Sequence, residues 1–149
     1  MSSINTLRKK NIVSLKRDLF KRKNIPLINK LLERKYTYLF DWMGIPIIQF
    51  PSDILVFQEL INKYRPQVIV ETGIAHGGSL IFYSSMLKML GIKNPKVIGV
   101  DINIKKKNLL KLKKNSYFKY VKLFKGSSIE SLVFNKIKTL CKKKKFWFF

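Results

Sequence analysis

An α/β fold, with a parallel sheet and helices on both faces, is what this chain predicts. Three observations predict it. Short apolar runs rich in Val and Ile, "QVIVETG" at 67–73 and "KVIGVDI" at 96–102, read as buried strands. Each is followed by a segment with helical character, so the order is strand, helix, strand, helix, strand, helix, and such alternation calls for a parallel sheet covered on both sides. The first run passes through an acid, Glu71, into a loop holding Gly73, Gly77 and Gly78. At 149 residues the chain has the length of one domain with its own core.

The elements follow in order. Residues 5–35 read as one or two basic helices, with Ile12, Leu15 and Leu19, then Ile28, Leu31 and Leu32, at helical spacing. Pro26 suits the first turn of the second of these. This stretch, 1–35, is taken as a basic N-terminal helical extension, and 36–149 as the α/β domain. "YTYLFDWMGIPIIQFPSD", 36–53, is aromatic and carries Gly44, Pro46 and Pro51, and so reads as a structured loop or short strand lying over something. Ser52 or Asp53 is expected to cap a helix over about 54–64, which Pro66 ends.

After the first strand, "GSLIFYSSMLKML" reads as a helix closed by Gly91. After the second, "KKKNLLKLKKN" is a basic amphipathic helix whose first lysines, Lys105–Lys107, form a solvated start. A third strand lies within 117–128 and ends at Gly126, and "IESLVFNKIKTLCKKKK" is the last helix, with Cys141 facing the core as a small residue. No internal repeat is present.

Composition narrows the function classes. The net charge of +23 points by itself to a polyanion. Yet the bases are 26 Lys against 5 Arg with a single Ala, Ala75, which is how an AT-rich genome writes any protein. The charge is also uneven. Residues 1–35 hold 11 Lys/Arg and 2 acids, residues 105–149 hold 15 and 1, and the segment between them holds 5 of each. The glycine loop therefore belongs to no basic stripe, and no specific nucleic-acid partner is expected. One cysteine excludes an internal disulfide and a cysteine-based metal site, and fits a reducing, cytoplasmic setting. A signal peptide and a transmembrane segment are not expected, since no apolar run is long enough for either.

Ligands of doubly wound sheets bind beyond the carboxyl ends of the strands. Three strand ends here carry suitable residues. Gly73, Gly77 and Gly78 let the backbone pass close to a ligand, at a helix N-terminus with free N–H groups. Asp101 is placed to accept hydrogen bonds from a ribose diol, and Gly126, Ser127 and Ser128 make a small polar turn where a flat base fits. The spacing is G-x-x-x-G-G, so the dinucleotide fingerprint G-x-G-x-x-G is not met. Glu71 would repel a pyrophosphate and suits a cation. S-adenosylmethionine, which has an adenosine, a sulfonium and an amino group but no phosphate, matches this set. The plainer reading makes Glu71 and Asp101 ordinary helix-cap acids.

The block "YLFDWMGIPIIQFPSD", the loop "ETGIAHGGS" and the strand end "VDI", in that order, resemble the cephalosporin hydroxylase / rhamnosyl O-methyltransferase family over about Tyr38–Ser128. The resemblance implies a Rossmann-like methyltransferase fold. It implies an O-methyltransferase acting on a small-molecule, saccharide or glycolipid acceptor in surface polysaccharide or lipid biosynthesis, with self-association left open. By the same resemblance, Glu71, Gly73, Gly77, Gly78 and Ser79 line the S-adenosylmethionine site, Asp101 holds the ribose, and Gly126 and Ser127 lie near the adenine. His76, the single histidine, is either a cofactor-side contact or a loop residue chosen for its backbone. Trp42, Gln49 and Asp53 match the family block, and Trp42 is read as packing. No catalytic residue is assigned.

The family also implies a fourth strand carrying an Asp that helps hold a divalent metal such as Mg, and later acidic ligands. This chain has no acid after Glu130 and ends "CKKKKFWFF". Phe-Trp-Phe-Phe and a stop can be encoded so that reading one base earlier spells Ile-Leu-Val-Phe-Leu and a codon beginning with G, as every Asp codon does. The expectation is an incomplete parallel sheet, truncated by a frame slip before the metal and acceptor half, with little turnover. The rival is a genuine terminus whose aromatic tail serves as a crude anchor. The second function class kept open is a non-enzymatic basic protein binding RNA or an anionic membrane surface.

Overall fold

The computed structural model describes residues 25–33, 35–142 and 144–148. The chain divides into two compact units, Met1–Tyr36 and Thr37–Phe149. In the first, helix α1 spans Ile25–Glu33, with Pro26 in its opening turn, where its missing N–H costs nothing. Leu27, Ile28 and Leu32 are exposed on it. The helical reading of residues 5–24 lies outside the described residues.

In the second unit a small antiparallel hairpin, β1 (Asp41–Trp42) and β2 (Ile45–Pro46), turns on Met43 and Gly44, both at positive φ. Helix α2 then covers Pro51–Tyr64. Its start corrects the sequence expectation: Phe50 is the N-cap residue, no side chain caps the helix, and Ser52 and Asp53 lie inside the first turn. Pro51 explains this, because its fixed φ starts the helix without a side-chain cap.

Four strands make one parallel sheet in the order β5-β4-β3-β6: β3 is Val68–Thr72, β4 Lys96–Asp101, β5 Val121–Lys125 and β6 Phe146–Phe148. The connecting helices are α3 (Gly78–Met89), α4 (Lys106–Lys113) and α5 (Ser131–Cys141). The third strand lies within 117–128, as expected, and ends next to Gly126; ahead of it Ser116–Tyr120 forms a 3-10 turn held by the Asn115 side chain.

Strand alternation divides the core in two. Ile69 and Val97 pack with Leu80, Phe82, Tyr83, Met86 and Leu87 of α3, and with Ile61 of α2. On the opposite face, Val68, Val70, Ile98 and Val100 meet Val133, Ile137 and Cys141 of α5. Cys141 is thus a buried core residue, as read from the sequence. Trp42 also packs. Its ring meets Phe82 edge-on at 4.9 Å, and its indole N–H donates to Ser85 Oγ at 3.1 Å.

The end of the chain is the main departure from expectation. Phe146–Phe148 forms a strand, β6, parallel to β3, with Val68 opposite Phe146 and Val70 opposite Phe148. Gln67 and Val68 donate their N–H groups to the Lys145 carbonyl at 2.8 and 3.2 Å. Trp147 turns toward the α2 side and meets Tyr64 at 4.9 Å, while Phe146 and Phe148 point the other way. Aromatic residues suit a pleated, half-buried surface, and these three make the fourth strand of the sheet.

Candidate functional site

Strand order reverses at β3: β4 and β5 lie on one side of it and β6 on the other. A crevice at the carboxyl ends is expected from such a reversal. A cleft of about 150 Å³ opens at the ends of β3, β4 and β5, lined by Thr72, Gly73, Val100, Asp101, Ile102, Gly126, Ser127 and Ser128.

Asp101 organises this cleft. Its Oδ2 accepts the Ile74 N–H at 2.9 Å and its Oδ1 accepts the Asn103 N–H at 2.8 Å. One carboxylate therefore holds both the loop after β3 and the turn after β4. Each oxygen keeps a further lone pair for a ligand. Gly73, at φ +79°, faces open space, where a Cβ would touch nothing within 4 Å. Gly126 is tied to Asp101 by its N–H, which donates to the Asp101 carbonyl at 3.0 Å. Ser127 works in the turn that starts α5: its N–H donates to Glu130 Oε1 at 3.3 Å, and its Oγ accepts the Ile129 N–H at 3.4 Å.

Of the eight residues read from the sequence, Gly73, Asp101, Gly126 and Ser127 line the cleft together, and Glu71, Gly77, Gly78 and Ser79 do not. These four are buried beside it, under and within the first turn of α3. Glu71, on the α3 face of β3, accepts the Ser79 hydroxyl hydrogen at 2.7 Å. Burial pushes its carboxyl up from an ordinary 4.5 to about 7, partly offset by that hydrogen bond. The same buried charge adds to desolvation in raising the Tyr83 phenol, one turn further along α3.

Gly77 and Gly78 have packing reasons of their own. A Cβ on Gly77 would lie 2.6 Å from Leu112 Cδ1, and one on Gly78 would lie 2.4 Å from the Pro46 carbonyl oxygen. The second contact is with backbone, so the hairpin can sit on α3 only if residue 78 has no side chain.

Sequence reasoning passed over three supports. Asn108 donates its amide to the Ala75 carbonyl at 3.0 Å, clamping the loop from α4. Leu112 fills the space left at Gly77. Ser127 and Glu130, spaced S-x-x-E, bind each other in the turn ahead of α5, whose N-cap residue is Glu130 without a side-chain cap. His76 is half-buried in the loop.

A family model described as Rhamnosyl O-methyltransferase/CmcI matches residues 34–148. The chain belongs to this family. The rhamnosyl O-methyltransferase of Mycobacterium leprae (strain TN) is 34% identical over 64 residues, which is 43% of this chain and 28% of that protein. The chain therefore spans little more than a quarter of that relative's length. Among solved structures, apo CmcI superposes with a TM-score of 0.58 at 22% identity, over 74% of this chain and 45% of that one. The Mg-SAM form of CmcI gives 0.53 at 24%, over 66% and 40%. These superpositions show a Rossmann-like fold shared with the family.

One expectation of the rhamnosyl O-methyltransferase/CmcI family finds no fit. Among the described residues no group of three or more His, Cys, Asp or Glu could hold a metal ion. Glu71 and Asp101 are engaged separately, one under α3 and one in the cleft. No helix among the described residues is long and apolar enough to cross a membrane.

Proposed function

We propose that this chain carries the cofactor-binding portion of an S-adenosylmethionine-dependent O-methyltransferase. The observation that carries this reading is Asp101 at the end of β4, flanked in one cleft by Gly73 and Gly126, in a chain of this family. A carboxylate held by two backbone N–H groups is fixed in place and suits the two hydroxyls of a ribose. Ligand pockets commonly run to about 300–1,000 Å³, so the cleft has room for a part of the cofactor, such as the sugar, rather than for all of it.

Bound there, S-adenosylmethionine supplies an electrophilic methyl group on a sulfonium. The chain's own residues orient it. Asp101 fixes the ribose, Gly73 leaves room for close approach of the ligand, and Gly126 and Ser127 border the adenine side. Glu71 adds negative charge next to the loop whenever it is ionised, which favours a cation over a phosphate.

The acceptor in this reading is a sugar hydroxyl, on a saccharide or glycolipid, and the setting is cytoplasmic. The support for the acceptor is likeness to rhamnosyl O-methyltransferases. Residues 1–35 act as an extension to the α/β domain 36–149. Turnover by this chain alone is expected to be slight.

Calorimetric titration of the 149-residue chain with S-adenosylmethionine and with its demethylated product tests the reading. Binding is expected, and Asp101→Ala is expected to weaken it at least tenfold, a loss of about 1.4 kcal/mol. Absence of binding, together with nucleic-acid affinity that falls steeply with salt and ignores Asp101→Ala, would favour the polyanion-binding reading instead.

A further inference from the structure

The face of the sheet that α5 only partly covers holds a feature that the cleft does not use. A groove of about 930 Å³ runs between α5 and β6, with Val70, Ile129, Phe134, Ile137, Phe146 and Phe148 among its apolar lining. Its apolar residues are unusually open to solvent: Ile129 is 90% exposed, Phe134 56%, Phe146 50% and Phe148 59%. Lys138, Lys142 and Lys144 also line it, all exposed. It meets the cleft at Ser128, which lines both.

We propose that this groove docks the chain onto an anionic lipid bilayer. An acyl chain enters between Phe134, Phe146 and Phe148, and the acidic headgroup lies against Lys138, Lys142 and Lys144. Charge complementarity selects this occupant. An apolar floor with cationic side chains beside it matches an amphiphile with an apolar tail and an anionic head. A second copy of this chain would bring +23 against +23 and set lysines against lysines. An added polypeptide strand would find only the three residues of β6 to pair with. The aromatic tail would be a weak anchor by itself, but folded as β6 it joins Phe134 and Ile129 in a wider apolar surface. Each lysine near an anionic surface strengthens binding by about fivefold, so the patch suffices for reversible binding.

The test is co-sedimentation of the full chain with vesicles of phosphatidylcholine alone or mixed with phosphatidylglycerol. Binding to the mixed vesicles and not to the neutral ones is expected. Because so basic a chain will touch any anionic surface, two variant sets separate the groove from bulk charge. Phe134→Ser with Phe148→Ser, both at exposed positions, should reduce binding at least tenfold. Lys106→Gln with Lys107→Gln and Lys111→Gln, on α4, should leave it within about threefold. A third readout places a probe in the groove. With Trp42→Phe and Trp147→Phe as background, Phe148→Trp makes a single tryptophan that lines it, and brominated acyl chains should quench its fluorescence. Equal losses from both variant sets, or no quenching with binding intact, would overturn the proposal in favour of unspecific charge. So would RNA displacing the vesicles while binding tightly in the Phe→Ser variant. Dimers in light scattering that vanish in the same variant would overturn it in favour of self-association.

Discussion

Ser79 donates its hydroxyl hydrogen to Glu71 across 2.7 Å, joining the first turn of α3 to the strand beneath it. The pair is buried, and burial holds the Glu71 carboxyl near 7 instead of 4.5. Between those two values the folded chain keeps a proton that the unfolded chain has released. Stability from this group is therefore full below pH 4.5 and is lost as pH rises toward about 7. The loss amounts to roughly 3 kcal/mol at about 1.4 kcal/mol per unit. Glu71→Gln keeps an acceptor for Ser79 and never ionises. Urea unfolding should show the variant more stable than the parent by up to about 3 kcal/mol near pH 8, with little difference at the acid end of the window. Equal stabilities at both ends would show that Glu71 ionises freely. Affinity for a cationic cofactor should change with the opposite sign, tightening as pH rises through about 7.

Glycine is required for different reasons on either side of the loop. Gly78→Ala would press a methyl group into the Pro46 carbonyl and the Ile47 Cα, so the hairpin must lift. A cost of about 2–4 kcal/mol is expected. Gly73→Ala meets open space and is strained only through φ, a cost of about 1–2 kcal/mol. Thermal unfolding should rank the two in that order. The reverse ranking would mean that the hairpin does not rest on α3.

Trp147 fastens the last strand. Its ring lies on Tyr64 and packs against the core on the α2 side. Trp147→Ala should cost roughly 2–3 kcal/mol, less than a fully buried tryptophan would. Amide exchange at Gln67 and Val68, which donate to the Lys145 carbonyl, should speed up more than exchange at Val97 or Ile98. Uniform acceleration would indicate that β6 opens only with the whole domain.

The parallel sheet was legible because β3 and β4 are short, continuous apolar runs set between helical segments, a pattern with few alternatives. Gly73, Asp101, Gly126 and Ser127 were legible as a cluster because each follows or ends a strand, and a parallel sheet brings such ends together. Burial direction was not legible. Glu71 and Asp101 look alike in the sequence and fall on the same face of the sheet, yet Glu71 lies one residue inside its strand, beneath Ser79 of α3, whereas Asp101 ends its strand and reaches the cleft. The roles of Gly77 and Gly78 were hidden for a related reason. Their neighbours, Leu112 and Pro46, lie far away in sequence, and no local pattern announces a close approach. β6 was missed because three aromatic residues after a lysine run carry no periodicity, and only the unpaired side of β3 gives them a place.

Helix α3 is buried along ten consecutive residues, Gly78 to Leu87. It has no outward side there, so the usual three-to-four-residue rhythm of tolerated and forbidden positions should be missing. A saturation library across this segment should return one unbroken intolerant block. Tags, cysteine labels or protease sites introduced within it would report collapse of the domain rather than accessibility, and evolutionary change on it must proceed by paired, volume-matched exchanges with the hairpin and sheet around it.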